Sequence, residues 1–337
     1  MVTDLTVSVA LCTHNGERFI RDQLLSILGQ TRLPDEIVLS DDASSDSTIA
    51  VATAVIDGFH ERAARTLPKV VVLRNDLALG VTANFEQAIL ACSSELVALS
   101  DQDDVWEPNR LADALVEFRE RPDLLLLHGD AKLIDDAGAL LPATLFEAQD
   151  VTASVRAEVH AGRAFALLMH RNFVTGATTI LRRKLADVAK PFPPAWLHDE
   201  WLAIIAAAVG SLDLTDQRLV RYRQHESNQL GAQRLSMVGK LRRMLEDGSV
   251  RNERLLARAA VLADRLPALD TINPEYIDAA RRKLLHEQLR STLGRSRLAR
   301  ILPVLQELRS GRYGEFGRGL ADAVRDLSQP LKGPGRL

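Results

Sequence analysis

Short apolar runs alternate with segments of helical periodicity through the first half of this chain, and that alternation restricts the fold more than any other feature. Residues 7–12, 36–40, 70–73, 96–99 and 124–127 read as strands. Residues 17–28, 48–56, 81–91 and 108–120 carry apolar side chains at helical spacing, the last with Pro108 in its first turn. The strands are continuously apolar rather than alternating, so both of their faces are expected to be covered. A βαβα order of this kind predicts a mostly parallel sheet flanked by helices.

In such a sheet, ligands bind beyond the carboxyl ends of the strands. The polar residues gather at those ends. Thr13, His14, Asn15 and Gly16 follow the first strand, Asp41 and Asp42 the second, and Asn75 and Asp76 the third. Ser100-Asp101-Gln102-Asp103-Asp104-Val105-Trp106 follows the fourth, and Asp130 the fifth. Three carboxylates in four residues repel one another unless a cation sits among them. Hard carboxylate oxygens suit Mg²⁺ or Mn²⁺, and such an ion usually holds a substrate phosphate too. The structural alternative is a solvated acidic loop that caps the next helix.

The second half is less regular. Residues 160–169 and 196–209 read as helices, 174–180 as a strand interrupted by Gly176, and 212–214 and 219–222 as strands. From about residue 230 the chain reads as Arg-rich helices, with breaks at Gly248, Pro267, Pro274, Gly294, Pro303 and Gly311. The charge divides in the same place. Residues 1–228 hold 21 Lys and Arg against 33 Asp and Glu, whereas residues 229–337 hold 21 against 12. We therefore expect a catalytic domain over 1–228 and a basic helical region over 229–337. The basic region can bind anionic lipid, nucleic acid or the acidic domain itself. Its few aromatics and helically spaced arginines argue against nucleic acid.

Two cysteines, Cys12 and Cys92, make no disulfide framework and fit a reducing cytoplasm. No signal peptide is seen at the N-terminus. No apolar run reaches the ~18 residues that span a bilayer.

Candidates for a nucleotide-sugar enzyme occur in order along the chain. Asp42, or its neighbour Asp41, can accept from the imide N–H of uracil or thymine, with Thr13 and Asn15 on the base or holding their loop. Asp101 and Asp103 can share a metal over a diphosphate, and His225 can join them or donate to the phosphates. His198-Asp199-Glu200-Trp201 opens a helix, where a carboxylate is favoured in its ionised form. Asp199 or Glu200 can there act as general base on an acceptor hydroxyl. A single base with a metal-held leaving group implies one displacement with inversion.

These residues resemble the family 2 glycosyltransferases of the GT-A fold, and within them a bacterial rhamnosyltransferase-like branch. The resemblance covers residues 7 to about 231. It rests on the segment 7–17, Gln30-Thr31, the segment 36–42, Asn84-Phe85, the segment 100–106, His198-Asp199-Glu200-Trp201 and Tyr222-Arg223-Gln224-His225. It implies a Rossmann-like GT-A sheet flanked by helices, which the basic helical region read above would follow as a C-terminal extension. It implies nucleotide contact by Thr13, Asn15, Asp41, Asp42 and Asp101, and a divalent metal at Asp101 and Asp103 with His225 nearby. The resemblance places the base on Asp199 and the acceptor at Gly176, Thr178, Glu200 and Trp201. His14 stands where such enzymes commonly carry Tyr, and Glu200 where this branch often has Trp. The branch often uses dTDP-rhamnose and the wider family UDP-sugars.

The expected activity is transfer of a sugar to a cell-surface polysaccharide or lipid-linked glycan, in the cytoplasm or at the inner membrane face. A peripheral membrane contact through the basic region and a homo-oligomer are both compatible with it. A nucleotidyltransferase would share the sheet, but its first loop is usually Gly-rich and basic, and residues 13–18 hold one Gly. A non-catalytic sugar-nucleotide binder would not need the candidate base. No GxGxxG follows the first strand, which argues against a dinucleotide site.

Overall fold

A computed structural model of the chain describes residues 5–61, 67–224, 248–270 and 272–330. His225, residues 229–247 of the basic region and residues 331–337 lie outside the described residues. The chain divides into two compact units, Met1–Ala164 with Phe173–Ala232, and Phe165–Asn172 with Gln233–Leu337.

The first unit is built on one sheet. Its strands are β1 (Val7–Thr13), β2 (Glu36–Asp41), β3 (Lys69–Arg74), β4 (Leu96–Ser100), β5 (Val105–Trp106), β6 (Leu124–Ile134), β7 (Leu140–Thr144), β8 (Ile180–Arg182) and β9 (Ser211–Arg223). They lie in the order β3-β2-β1-β4-β8-β6-β9-β5, with β7 on β6. β1 pairs in parallel with both β2 and β4, as does β2 with β3 and β6 with β9. β8 runs antiparallel to both β4 and β6. Every residue of β1, β2 and β4 is buried, as continuous apolar strands require. Chain order reverses between β1 and β4, so the loops leaving those strands part there and open a crevice.

Helices cover the sheet. Ile20–Leu28 buries Ile20, Leu24, Ile27 and Leu28, and Arg110–Glu120 buries Leu111, Leu115 and Phe118. Pro108 falls just before that second helix, whose N-cap is Asn109. The helix His198–Val209 is buried at every position from His198 to Ala208, in keeping with its apolar circumference.

Four expected elements take another form. The helix over 160–169 is two, Ala153–His160 and Ala164–His170, because Gly162 adopts φ +77° and ends the first. The strand over 174–180 is a short 3₁₀ turn, Gly176–Thr178, and only Ile180–Arg182 enters the sheet. The strands at 212–214 and 219–222 are one long β9 whose pairing with β6 shifts register. Pro303 lies inside the helix Arg297–Arg309 rather than breaking it.

The second unit is helical, with Gly248–Arg265, Pro274–Ser291, Arg297–Arg309, Arg312–Phe316 and Leu320–Ser328. It also takes residues 165–172, which the sequence reading assigned to the first domain. Phe165 stacks on Tyr276 at 4.1 Å, and the His170 ring Nε2 bonds the Gly317 carbonyl at 2.6 Å. The unit buries charge as well as carbon. Arg290 donates to Asp326 and Glu287, and His286 bonds Glu307 at 2.6 Å.

Candidate active site

The crevice between β1 and β4 is tied shut at its floor by Gln102. Its Oε1 accepts from the His14 N–H at 2.8 Å, and its Nε2 donates to the His14 carbonyl at 3.0 Å. Gly16 leaves room for this clasp, since a Cβ there would sit 2.1 Å from Gln102 Oε1. Asn15 adopts φ +47°, a region that Asn tolerates. Its Oδ1 accepts from the Ser45 N–H, and its own N–H donates to Ser44 Oγ. Thr13 is buried and donates to Asp41 at 2.7 Å.

Asp41 and Asp42 are both buried at the end of β2. Asp41 accepts from Thr13 Oγ1, the Ser44 N–H and Ser44 Oγ. Asp42 accepts from the Leu79 and Gly80 N–H groups at 2.6 and 2.9 Å. Both carboxylates thus organise loops around the crevice. His14, exposed beside them, donates from Nδ1 to the Asp42 carbonyl at 2.6 Å.

In the acidic loop the three carboxylates separate by environment. Asp101 and Asp103 are half-buried and Asp104 is buried. Burial, then Asp103, then Asp199 push the Asp101 carboxyl up to about 8, against the opposing pull of Arg110. The charges of Asp103 and Asp199 thus both bear on Asp101. Asp104 accepts from the Arg223 N–H at 3.0 Å, and Arg223 Nε donates to the Asp103 carbonyl at 2.7 Å, so the end of β9 holds the loop. Tyr222, next to Arg223, has its hydroxyl pushed up by burial and by Asp104, Asp101, Asp103 and Asp199.

The charge repulsion foreseen from the sequence has a resident cation. Arg110 is buried over the Trp106 ring, 3.8 Å from its centroid, and lies beside Asp104 and Asp101. Burial lowers it to about 9, which leaves it charged at neutral pH. Arg110 was legible as an anomaly, a cation on the face that also buries Leu111, Ala114, Leu115 and Phe118. Gln102 and Tyr222 gave no comparable signal.

Among the described residues, no group of three His, Cys, Asp or Glu can hold a metal by itself. Asp101 and Asp103 supply two hard oxygen donors one residue apart, and they are the residues that would hold a divalent cation.

Asp199 lies in the first turn of the helix His198–Val209 and is buried. Its Oδ2 accepts from the Gly176 N–H at 2.8 Å and its Oδ1 from the Glu200 N–H at 2.8 Å. Gly176 approaches this helix so closely that a Cβ would sit 2.8 Å from His198 Nε2. His198 stacks on Phe85 at 3.7 Å and 13°, and burial lowers it to about 3, so it is neutral. Asn84, beside Phe85, bonds Ser40 on β2 through both ends of its amide.

Of the residues expected at the acceptor, Gly176 and Glu200 bond Asp199, and Gly176, Thr178 and Glu200 are all buried. Thr178 Oγ1 donates to the Thr175 carbonyl. Trp201 is 1% exposed, tilts against Trp196 and donates its indole N–H to the Ala189 carbonyl.

This architecture is shared with solved glycosyltransferase structures. Staphylococcus aureus TarS in complex with UDP-GlcNAc matches with a TM-score of 0.56 at 15% identity, covering 96% of this chain and 90% of that one. The mannosyltransferase PcManGT from Pyrobaculum calidifontis, in complex with GDP-Man and Mn²⁺, matches with a TM-score of 0.56 at 16% identity, covering 96% and 79%. The sequence model of glycosyl transferase family 2 matches residues 8–186, and the chain belongs to that family. It is similar to the dTDP-rhamnosyl transferase RfbG of Shigella flexneri, 25% identical over 257 residues that cover 72% of this chain and 80% of that protein. It also spans 59% of the length of an uncharacterized Mycobacterium tuberculosis protein, to which it is 25% identical over 224 residues.

Proposed function

We propose that this chain transfers a sugar, with inversion, from a nucleotide-diphosphate donor to a hydroxyl of a cell-surface polysaccharide or lipid-linked glycan at the cytoplasmic membrane face. The observation that carries the reading is Asp199. It is a carboxylate at the head of a buried helix, gripped by two backbone N–H groups, and its charge helps to push the Asp101 carboxyl up. In this role Asp199 takes the proton of the acceptor hydroxyl as its oxygen attacks the anomeric carbon. Asp101 and Asp103 would hold Mn²⁺ or Mg²⁺, which when bound neutralises charge on the donor diphosphate. Asp42 and the 13–16 loop would receive the base. The donor is a dTDP- or UDP-sugar, with rhamnose suggested by RfbG and the UDP nucleotide by TarS.

Donor hydrolysis and transfer assays with Mn²⁺ test this reading. Asp199→Asn is expected to lower kcat by about 10²–10⁴-fold while nucleotide binding persists. Undiminished turnover in that variant would remove Asp199 as the base. Asp103→Ala should weaken the Mn²⁺ requirement's affinity, read as a rightward shift of the metal activation curve, and an unshifted curve would remove the metal pair. A thermal-shift panel of dTDP, UDP and GDP with Mn²⁺ identifies the nucleotide by selective stabilisation.

A further inference from the structure

The helix Arg297–Arg309 turns an apolar stripe to solvent. Leu298, Ile301, Leu302 and Leu305 are 80%, 43%, 64% and 42% exposed. Their i, i+3, i+4, i+7 spacing lines one face of the helix. The opposite face buries Arg300, Val304 and Glu307 within the helical unit. The other exposed residues of this helix are Arg297, Ala299, Gln306 and Arg309, and exposed Arg295 precedes it. Its single acid, Glu307, is buried against His286 and Arg312. The helix Leu320–Ser328 exposes two more large apolar side chains, Leu320 and Val324.

A contiguous apolar stripe on a surface marks a place where something else binds. Here its rim is basic and the exposed face of the helix carries no acid. That combination matches the interface of an anionic bilayer, with leucines at the acyl boundary and arginines on lipid phosphates. A second copy of the chain matches less well, because a two-fold contact would bring the same arginines face to face. Among the described residues no helix is long and apolar enough to cross a membrane. We propose that the helix Arg297–Arg309 lies in the plane of an anionic membrane surface, seated through Leu298, Ile301, Leu302 and Leu305. This rests on the transferase reading for its purpose, since lipid-linked acceptors lie at that surface.

The test uses the full chain without any sugar nucleotide, so its failure is distinguishable from failure of the transferase reading. Co-sedimentation is measured with phosphatidylglycerol–phosphatidylcholine vesicles and with phosphatidylcholine alone. Binding is expected only with the anionic vesicles, and it should weaken as salt rises. The double variant Leu298→Glu/Leu302→Glu should bind about tenfold or more weakly with its melting temperature unchanged, because both positions are exposed. Wild-type chain left in the supernatant with anionic vesicles would overturn the proposal, as would equal binding by the variant. A wild-type dimer in ultracentrifugation that the variant abolishes, with no vesicle binding, would assign the stripe to a second copy instead.

Discussion

Asp199 gains its position from a residue with no side chain. The Gly176 N–H reaches Asp199 Oδ2 only because nothing projects from Gly176 toward His198. His198 has little freedom to retreat, being stacked on Phe85 at 3.7 Å. Gly176→Ala is therefore expected to push the turn away from the helix and break that hydrogen bond. We expect a loss of about 1–3 kcal/mol in denaturant stability, the range for leaving a buried polar group unsatisfied. The kcat should fall with it, while nucleotide affinity measured by calorimetry stays near wild type. An active, stable Gly176→Ala variant would show that the contact does not position the carboxylate. The sequence marked Asp199 and Gly176 separately, through helix-start chemistry and a glycine in an apolar run. It did not mark that they meet, because they come from different elements. Trp201, which the resemblance placed at the acceptor, is followed by Leu202 to Ala208, all buried, and is drawn inward with them.

At the level of elements, the parallel half of the sheet is pinned at its base by Glu36, the first residue of β2. The side chain is buried and accepts from Ser8 Oγ on β1, the Ser93 N–H and Oγ before β4, and Lys69 Nζ on β3. Burial pushes this carboxyl up, but the four donors together outweigh it and hold it below its ordinary 4.5. A carboxyl lowered on folding contributes stability that is fully present above the unfolded value and is lost as pH falls through the folded one. Glu36→Gln should thus cost about 1.5–3 kcal/mol at neutral pH, the range for hydrogen bonds to a charged group. The gap from wild type should narrow only below pH 4.5, as the native carboxylate is itself protonated. Urea titrations across that range check this, and a gap independent of pH would mean the charge is immaterial. Of the strands here, β1, β2 and β4 were legible because both of their faces are buried, which leaves an unbroken apolar run. The departures lie where long-range contacts decide. Gly176 enters a turn rather than a strand because it packs against a helix head, and β9 continues through polar residues because β6 supplies a partner along its length.

Across the whole molecule, two units solve burial in different ways. The first relies on a large apolar core shared by sheet and helices, and the second combines a small apolar cluster around Leu293, Val304, Tyr313 and Ala323 with buried ion pairs. Arg290 is the hub of the second. It is 2% exposed, donates bidentately to Asp326 at 2.7 and 3.1 Å and reaches Glu287 at 3.1 Å, while the Tyr313 hydroxyl donates to Asp326 at 2.9 Å. The sequence showed this region only as an excess of arginine, which reads as solvated helix surface, and pattern alone does not tell a buried guanidinium from an exposed one. Removing one partner of a buried pair leaves the other charge uncompensated and costs about 3–5 kcal/mol. Arg290→Met keeps most of the volume and removes the charge. Amide hydrogen exchange on the full chain resolves where the loss falls, because it reports local as well as global opening. Exchange in Gly248–Arg265 and Pro274–Ser291 is expected to accelerate by about two to four powers of ten, the rate equivalent of that cost. Exchange in β1 and β4 should be unchanged, since each unit carries its own core. A uniform acceleration across both units would show instead that they unfold as one, and unchanged exchange in the helices would show that the ion pairs contribute nothing to holding them.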